Sequence, residues 1–249
     1  MRVLLISDLH ANLPATQAVL ADADAAGWDQ VLVLGDLVGY GADPAEVIDA
    51  VRALSNATVI RGNHDKVASG IESPIDFNFV ARQAAEWTAA TLDADRARYL
   101  RELPRGPLAL AVDGLDVAIC HGAPFDEDYY IFDDDDAAHA LAASQAAITF
   151  CGHTHVQIAF REARAAGRPA VTPLDAERID AGAGTRILVN PGSVGQPRDG
   201  DPRAAYAVLD TAERIVTMHR VPYDIADAQR RIRDAGLHPS LAERLSVGR

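Results

Sequence analysis

The sequence predicts an α/β fold built on parallel strands, and three observations carry that expectation. Strand-type and helix-type patterns alternate through the first third in the order β-α-β-α-β. That order requires parallel strands joined by right-handed crossovers. Several apolar runs end in short clusters rich in Asp and His, where open α/β sheets collect ligands. The chain of 249 residues can bury a full core, and no repeat, linker or composition break divides it. Residues 1–249 are therefore expected to form a single domain.

Val3 to Ile6 is a short apolar run of the buried-strand type. Leu13 to Ala26 has helical character, with Gly27 at its C′ position. Val31 to Leu34 is a second strand. Asp43-Pro44-Ala45-Glu46 supplies an N-cap, a proline at the first helical position and a capping glutamate, for a helix to about Leu54. Thr58 to Ile60 is the third strand. Asp76 to Leu92 and Asp93 to Leu103 follow as two helices without a strand between them, suited to a lid or a flank. Leu108 to Val112 and Leu115 to Cys120 form a hairpin about Asp113-Gly114. Asp135 to Ser144 is helical and Ala147 to Cys151 is a strand. Strands at Val156 to Glu162, Arg186 to Val189, Ala205 to Asp210 and Arg214 to Val221 follow. Between the first two, residues 163–184 are rich in Ala, Gly and Arg and are expected to form an exposed insertion. A helix with Asp224 as its N-cap and Gly236 at C′, and a tail helix from Ser240 to Leu245, end the chain.

A hydrophobic content of 49% and a charged content of 24% describe a globular chain. No apolar stretch approaches the roughly 20 residues of a membrane span, and a strand begins at once where a signal peptide would lie. Only Cys120 and Cys151 are available for disulfides, so a cytoplasmic location is the default. The net charge of −13 disfavours long nucleic acid, whose affinity rests on cations against phosphates. Asp133–Asp136 lacks the alternating spacing of an EF-hand and is expected to be an acidic loop or helix start.

Five clusters carry the chemistry: Asp8-Leu9-His10, Gly35-Asp36, Gly62-Asn63-His64-Asp65, His121-Gly122 and Gly152-His153-Thr154-His155. Strand alternation puts Asp8 and His10 on one side, within reach of one metal, and likewise His153 and His155. Asp36 has two oxygens and is suited to bridging two ions. Asn63 offers a neutral carbonyl oxygen; His121, His153 and His155 offer imidazole nitrogens. Hard oxygens mixed with imidazole suit Mn²⁺, Fe²⁺ or Zn²⁺. Two such ions about 3.5–4 Å apart hold a shared hydroxide and clamp an in-line phosphoryl displacement. No serine or cysteine nucleophile motif competes with that reading. His64 is the candidate general acid, with Asp65 to orient it. Each cluster alone is weak evidence, since Gly-Asp is ordinarily a turn. The argument rests on five complementary clusters that all follow strands.

With these motifs the chain resembles the calcineurin-like metallophosphoesterase superfamily, whose motifs D-x-H, GD, GNH[ED], an isolated H and GHTH occur in that order between residues 8 and 155. The resemblance implies a four-layer α/β/β/α sandwich with two mixed β-sheets. It implies one metal held by Asp8, His10, Asp36 and His155 and a second by Asp36, Asn63, His121 and His153. His64, with Asp65, would be the proton donor or transition-state stabiliser. Gly35-Asp36-Leu37-Val38-Gly39-Tyr40-Gly41 and Asn190-Pro191-Gly192-Ser193-Val194-Gly195-Gln196-Pro197-Arg198 resemble the small bacterial and archaeal phosphodiesterases more closely. Gly39-Tyr40 stands where serine/threonine protein phosphatases carry Asp-Arg, which argues against a phosphoprotein substrate.

Three further residues are substrate candidates. Arg198 offers a planar fork to a phosphate, Tyr40 is placed to line the cleft, and Asn12 either reaches the pocket or caps the following helix. The NPGSVG stretch is either a nest of backbone N–H groups or a tight turn in the pocket wall. The expected function is a phosphoesterase with two divalent metal ions, Mn²⁺ first and Fe, Zn or Ni as alternatives. It would act on a small phosphodiester or nucleotide by attack of a metal-bound hydroxide. A dinucleoside polyphosphate hydrolase and a non-catalytic protein-binding scaffold on the same fold are the rival readings.

Overall fold

Two mixed sheets of six strands stack face to face in the computed structural model, which describes residues 1–165, 168–182 and 184–249. The chain opens β1 (Arg2–Ile6), α1 (Leu13–Ala26), β2 (Gln30–Val33), α2 (Pro44–Arg52), β3 (Ala57–Val59). It continues α3 (Asn63–Ala68), α4 (Phe79–Thr91), α5 (Ala94–Glu102), β4 (Leu108–Val112), β5 (Leu115–Ile119), α6 (Asp134–Ala143), β6 (Ile148–Phe150). The last part holds β7 (Gln157–Ala165), β8 (Arg168–Leu174), β9 (Arg178–Asp180), β10 (Arg186–Pro191), β11 (Ala204–Asp210), β12 (Ile215–Val221), α7 (Ile225–Asp234) and α8 (Pro239–Glu243). A single helical turn, Arg244–Ser246, follows.

The first sheet runs β3-β2-β1-β11-β12-β9 and the second β4-β5-β6-β10-β7-β8. The pairs β1–β2, β2–β3, β5–β6 and β6–β10 are parallel. In β1 and β2, Leu4, Ile6, Val31 and Val33 face the helices, while Val3, Leu5, Leu32 and Leu34 face the second sheet. Both faces are dry, so these strands read as continuous apolar runs rather than alternating ones. Each such side chain contributes about 1.5–3 kcal/mol on burial. The inner face of the second sheet supplies Val117, Ile119, Ile148, Phe150, Ile187 and Val189. Its outer face packs Phe160 and Leu188 on Ala137, Ala140 and Leu141 of α6. The layers are therefore α/β/β/α, as the motifs implied.

Three sequence expectations need correction. Residues 163–184 are not an insertion: β7 continues to Ala165, pairs antiparallel with β8, and β9 joins the first sheet beside β12. Residues 166, 167 and 183 of that stretch lie outside the described residues. Asp43 stands at the N-cap position of α2 but does not cap it, accepting from Arg231 Nη1 at 2.9 Å instead. The short α3, which begins at Asn63, was not anticipated. The 76–103 region flanks the fold rather than covering it: Leu100 and Leu103 enter the main core, and Ala81 and Ala84 pack with α7 and α8. Asp133 caps α6 by accepting from Asp136 N at 2.9 Å, which fixes the acidic run as a helix start. Cys120 and Cys151 are buried free thiols, and burial pushes Cys120 up to about 12. Among the described residues no helix is long and apolar enough to cross a membrane.

Candidate metal centre

The loops that follow β1 and β2 run side by side past the ends of their strands. Asp8 N donates to Gly35 O at 3.1 Å, His10 N to Asp36 O at 3.0 Å and Ala11 N to Leu37 O at 2.9 Å. Asp8, His10 and Asp36 all adopt left-handed backbone, with φ of 54°, 47° and 52°. His153 and His155 do the same at 67° and 60°. Strand alternation therefore does not aim these side chains, because β1 has already ended at Ile6 and β6 at Phe150. The His-Thr-His pair shows the consequence, since its two rings go to different groups. Asp8, His10, Asp36 and His155 bring ligand atoms within 4.8 Å of one another, and so do Asp36, His121 and His153. Asp36 belongs to both groups. Its Oδ2 lies 3.5 Å from His10 Nε2 and 3.4 Å from His121 Nε2.

Each of the four imidazoles is aimed by a main-chain carbonyl on its outer side. His10 Nδ1 donates to Val38 O at 3.0 Å, His121 Nδ1 to Leu34 O at 2.8 Å, His155 Nδ1 to Gln196 O at 2.6 Å and His153 Nε2 to Asp128 O at 3.0 Å. That fixes the tautomers and turns the remaining nitrogens inward. His10 Nε2 faces His155 Nε2 at 2.9 Å; His121 Nε2 lies 3.1 Å from both His153 Nδ1 and Asn63 Oδ1. Inward-facing nitrogens converging on carboxylates in a dry site are a donor set for cations. The residues present therefore fit the divalent metals that the motifs imply. None of the four carbonyl supports was visible in the sequence, because every residue offers a main-chain oxygen.

The charges agree with that fit. Burial pulls His10 and His155 well below the usual imidazole value and takes His153 to about 3. Burial opposes charge on His121 too, but the Asp36 and Asp8 carboxylates outweigh it and raise it to about 10. A proton there occupies the position a cation would take. Burial also raises Asp8 to about 6. In Asp36 burial acts upward, yet His121, His64 and His10 hold its carboxyl well below the usual range.

His64, the second residue of α3, lies beside the two groups. Its ring packs on Tyr40 at 4.4 Å, Phe77 at 4.7 Å and His10 at 5.0 Å, and its Nδ1 is buried with no hydrogen-bond partner among the described residues. A Cβ at Gly39, where φ is 90°, would collide with that ring. Burial keeps His64 neutral, at about 4. Asp65 does not reach it. Its Oδ1 accepts from Leu37 N at 2.9 Å and Val38 N at 3.3 Å, and its Oδ2 from Gly62 N at 2.9 Å. Asp65 thus ties the second and third motifs together rather than orienting the histidine.

The other substrate candidates separate. Tyr40 is buried between His10 and His64, and the Arg198 guanidinium stands 5.5 Å from its ring centre. Asn12 caps α1 by accepting from Ala15 N at 3.2 Å, while its Nδ2 donates to Gly195 O at 2.8 Å. Both ends of its amide are engaged within the fold. The Asn190–Arg198 loop is wall rather than nest. Val194 N donates to Ser7 O at 3.0 Å, Gly195 N to Asp8 O at 2.9 Å, and Gln196 N to Ser193 Oγ at 2.8 Å.

Two residues were missed. Tyr130 stacks on His153 with ring centres 3.8 Å apart. Lys66, the only lysine, is buried and binds Asp128 Oδ2 at 2.6 Å, holding the residue whose carbonyl supports His153. Neither has a motif around it. A cavity of about 310 Å³ opens beside the centre, with Asn63, Phe77, Tyr130 and His153 among its walls.

Several known proteins resemble this chain. A metallophosphoesterase of Sphaerobacter thermophilus superposes with a TM-score of 0.86 at 43% identity, covering 100% of this chain and 99% of that one. An uncharacterized protein of Methanocaldococcus jannaschii is 34% identical over 99% of this chain and 98% of its own length. Phosphodiesterase YfcE of Escherichia coli is 24% identical over 84% of this chain and 88% of its own. The family model described as a calcineurin-like phosphoesterase superfamily domain matches residues 1–214, from β1 to the turn before β12, and so takes in every cluster of the centre. The chain belongs to the calcineurin-like phosphoesterase superfamily.

Proposed function

We propose that the protein is a binuclear-metal phosphoesterase that hydrolyses a small phosphodiester or nucleotide. The observation that carries this reading is the set of four imidazoles, each fixed on its outer side by a carbonyl, converging on a shared Asp36. In this reading Asp8, His10, Asp36 and His155 hold one divalent cation, and Asp36, Asn63, His121 and His153 hold the other, with Mn²⁺ the first choice. When bound, such a pair lowers the pKa of water and neutralises charge on a transferring phosphoryl group. His64 stands beside the two ligand groups, neutral, with one N–H to offer the leaving oxygen. Tyr40 closes one wall of the site, and Arg198 presents its fork beside it to phosphate oxygens. The walls of Phe77 and Tyr130 suit a small substrate with a flat apolar part.

The test uses purified protein loaded with Mn²⁺ and a panel of phosphomonoesters, phosphodiesters and nucleotides that includes bis(p-nitrophenyl) phosphate. Turnover of a diester is expected. Asn63→Ala should lose metal and turnover together. His64→Ala should lose turnover by about 10²-fold or more with its metal content intact. A metal-loaded wild type inactive across the panel would overturn the proposal. A protein-binding scaffold has no need of aligned inward nitrogens, and two equivalents of bound metal in untagged protein would tell against it.

A further inference from the structure

Resting on the phosphoesterase reading, we infer that Arg198 and Arg244 together form a subsite for a second phosphate group of the substrate, distinct from the one that is hydrolysed. Gln196 Oε1 accepts from Arg198 Nη2 and from Arg244 Nη1, both at 3.1 Å. Two guanidinium cations thus share one neutral oxygen. Gln196 is itself buried, and its main-chain oxygen is the one that holds His155. Arg198 N donates to His155 O at 3.1 Å. The pair is therefore anchored one step from the centre, on the Tyr40 side of it.

With 36 acidic against 23 basic residues, many of its arginines bind carboxylates, as Arg96 binds Asp49 and Asp93 and Arg231 binds Asp43 and Asp227, while Arg101 and Arg161 bind main-chain oxygens. The guanidiniums of Arg198 and Arg244 contact Gln196 and, from Arg244 Nε at 2.5 Å, the main-chain oxygen of Arg249. Arg198 Nε is buried with no hydrogen-bond partner among the described residues. Burial and the neighbouring Arg198 charge pull Arg244 below the usual arginine value. Like charges held this close repel, and an anion between the forks would relieve that repulsion. Two planar forks together can serve several oxygens of one phosphate group. The substrate class that follows is a phosphoester bearing a further phosphate, such as a nucleoside polyphosphate, rather than a bare diester.

Competition against bis(p-nitrophenyl) phosphate turnover, and calorimetric titration of the Mn²⁺-loaded protein, compare pyrophosphate with orthophosphate. Wild type should bind pyrophosphate more tightly, and Arg244→Gln should lose about tenfold of that advantage. Gln196→Glu, which places a resident carboxylate between the two forks and keeps the His155 carbonyl, should lose it as well. Arg82→Gln, in an exposed helical pair with Glu86, serves as the control. An Arg244→Gln variant that weakens both anions equally, or neither, overturns the inference. Absence of diester turnover in wild type removes the phosphoesterase reading instead, and the calorimetric comparison still decides the subsite.

Discussion

His121 is the one imidazole of the four that the fold holds as a cation. Its carboxylate neighbours keep it protonated to about pH 10, against 6.5 for an ordinary imidazole. In the metal-free chain that charge stabilises the fold fully below pH 6.5, and the contribution fades as pH rises through 10. A cation needs the same nitrogen bare. Loading near pH 7.5 should therefore expel about one proton, and affinity should fall as the solution is acidified. Calorimetry in buffers of different ionisation enthalpy measures the release. Loading without proton release, or loading that improves in acid, would contradict the assignment. His10, His64, His153 and His155 behave oppositely, because burial holds them neutral. An unfolded chain protonates them near pH 6.5, so the metal-free protein should lose stability as pH falls below that value.

At the scale of elements, the support of the centre depends on a short helix and one lysine. Lys66 lies in α3, two residues after His64, and reaches Glu72 at 2.8 Å as well as Asp128 at 2.6 Å. Lys66→Met leaves the half-exposed Asp128 and Glu72 without their cation and should cost no more than about 1 kcal/mol. Because Asp128 also supports His153 through its carbonyl, the variant should lose metal at the Asp36–His121–His153 group first. Thermal melts and metal analysis read the two effects; a lower Tm with full metal content would show that the loop holds without the lysine. This element also marks the limit of reading from sequence. The clusters were legible because few side chains bind metal and all of them follow strands. The alternation argument for Asp8 and His10 failed because the strand stops two residues earlier and the backbone turns left-handed. β8 was missed because Ala, Gly and Arg around it carry no strand pattern, and only its pairing with β7 defines it.

For the whole molecule, the position of the centre matters more than its composition. Asp8, Asp36 and Asn63 follow β1, β2 and β3 of the first sheet; His121, the His153–His155 pair and Gln196 follow β5, β6 and β10 of the second. The cations proposed for this centre would join the two sheets at one edge of their shared core. Since the unfolded chain has no such site, binding adds to stability by mass action, about 2.7 kcal/mol at a hundredfold excess over Kd. Chelation should lower Tm by several degrees, and returning Mn²⁺ should restore it. Unchanged melting after verified metal removal would place the ions outside the seam.

The carbonyls of Leu34, Val38, Asp128 and Gln196 have one more consequence. At each of these positions the contact is made by the main chain while the side chain serves elsewhere: Leu34 and Val38 in the core, Asp128 on Lys66, Gln196 on two arginines. The aim of the four rings is thus written in the path of the backbone, and a side chain that holds that path bears on a ring it never touches. A one-residue deletion in any of these loops should misdirect a ring while leaving every ligand in the sequence.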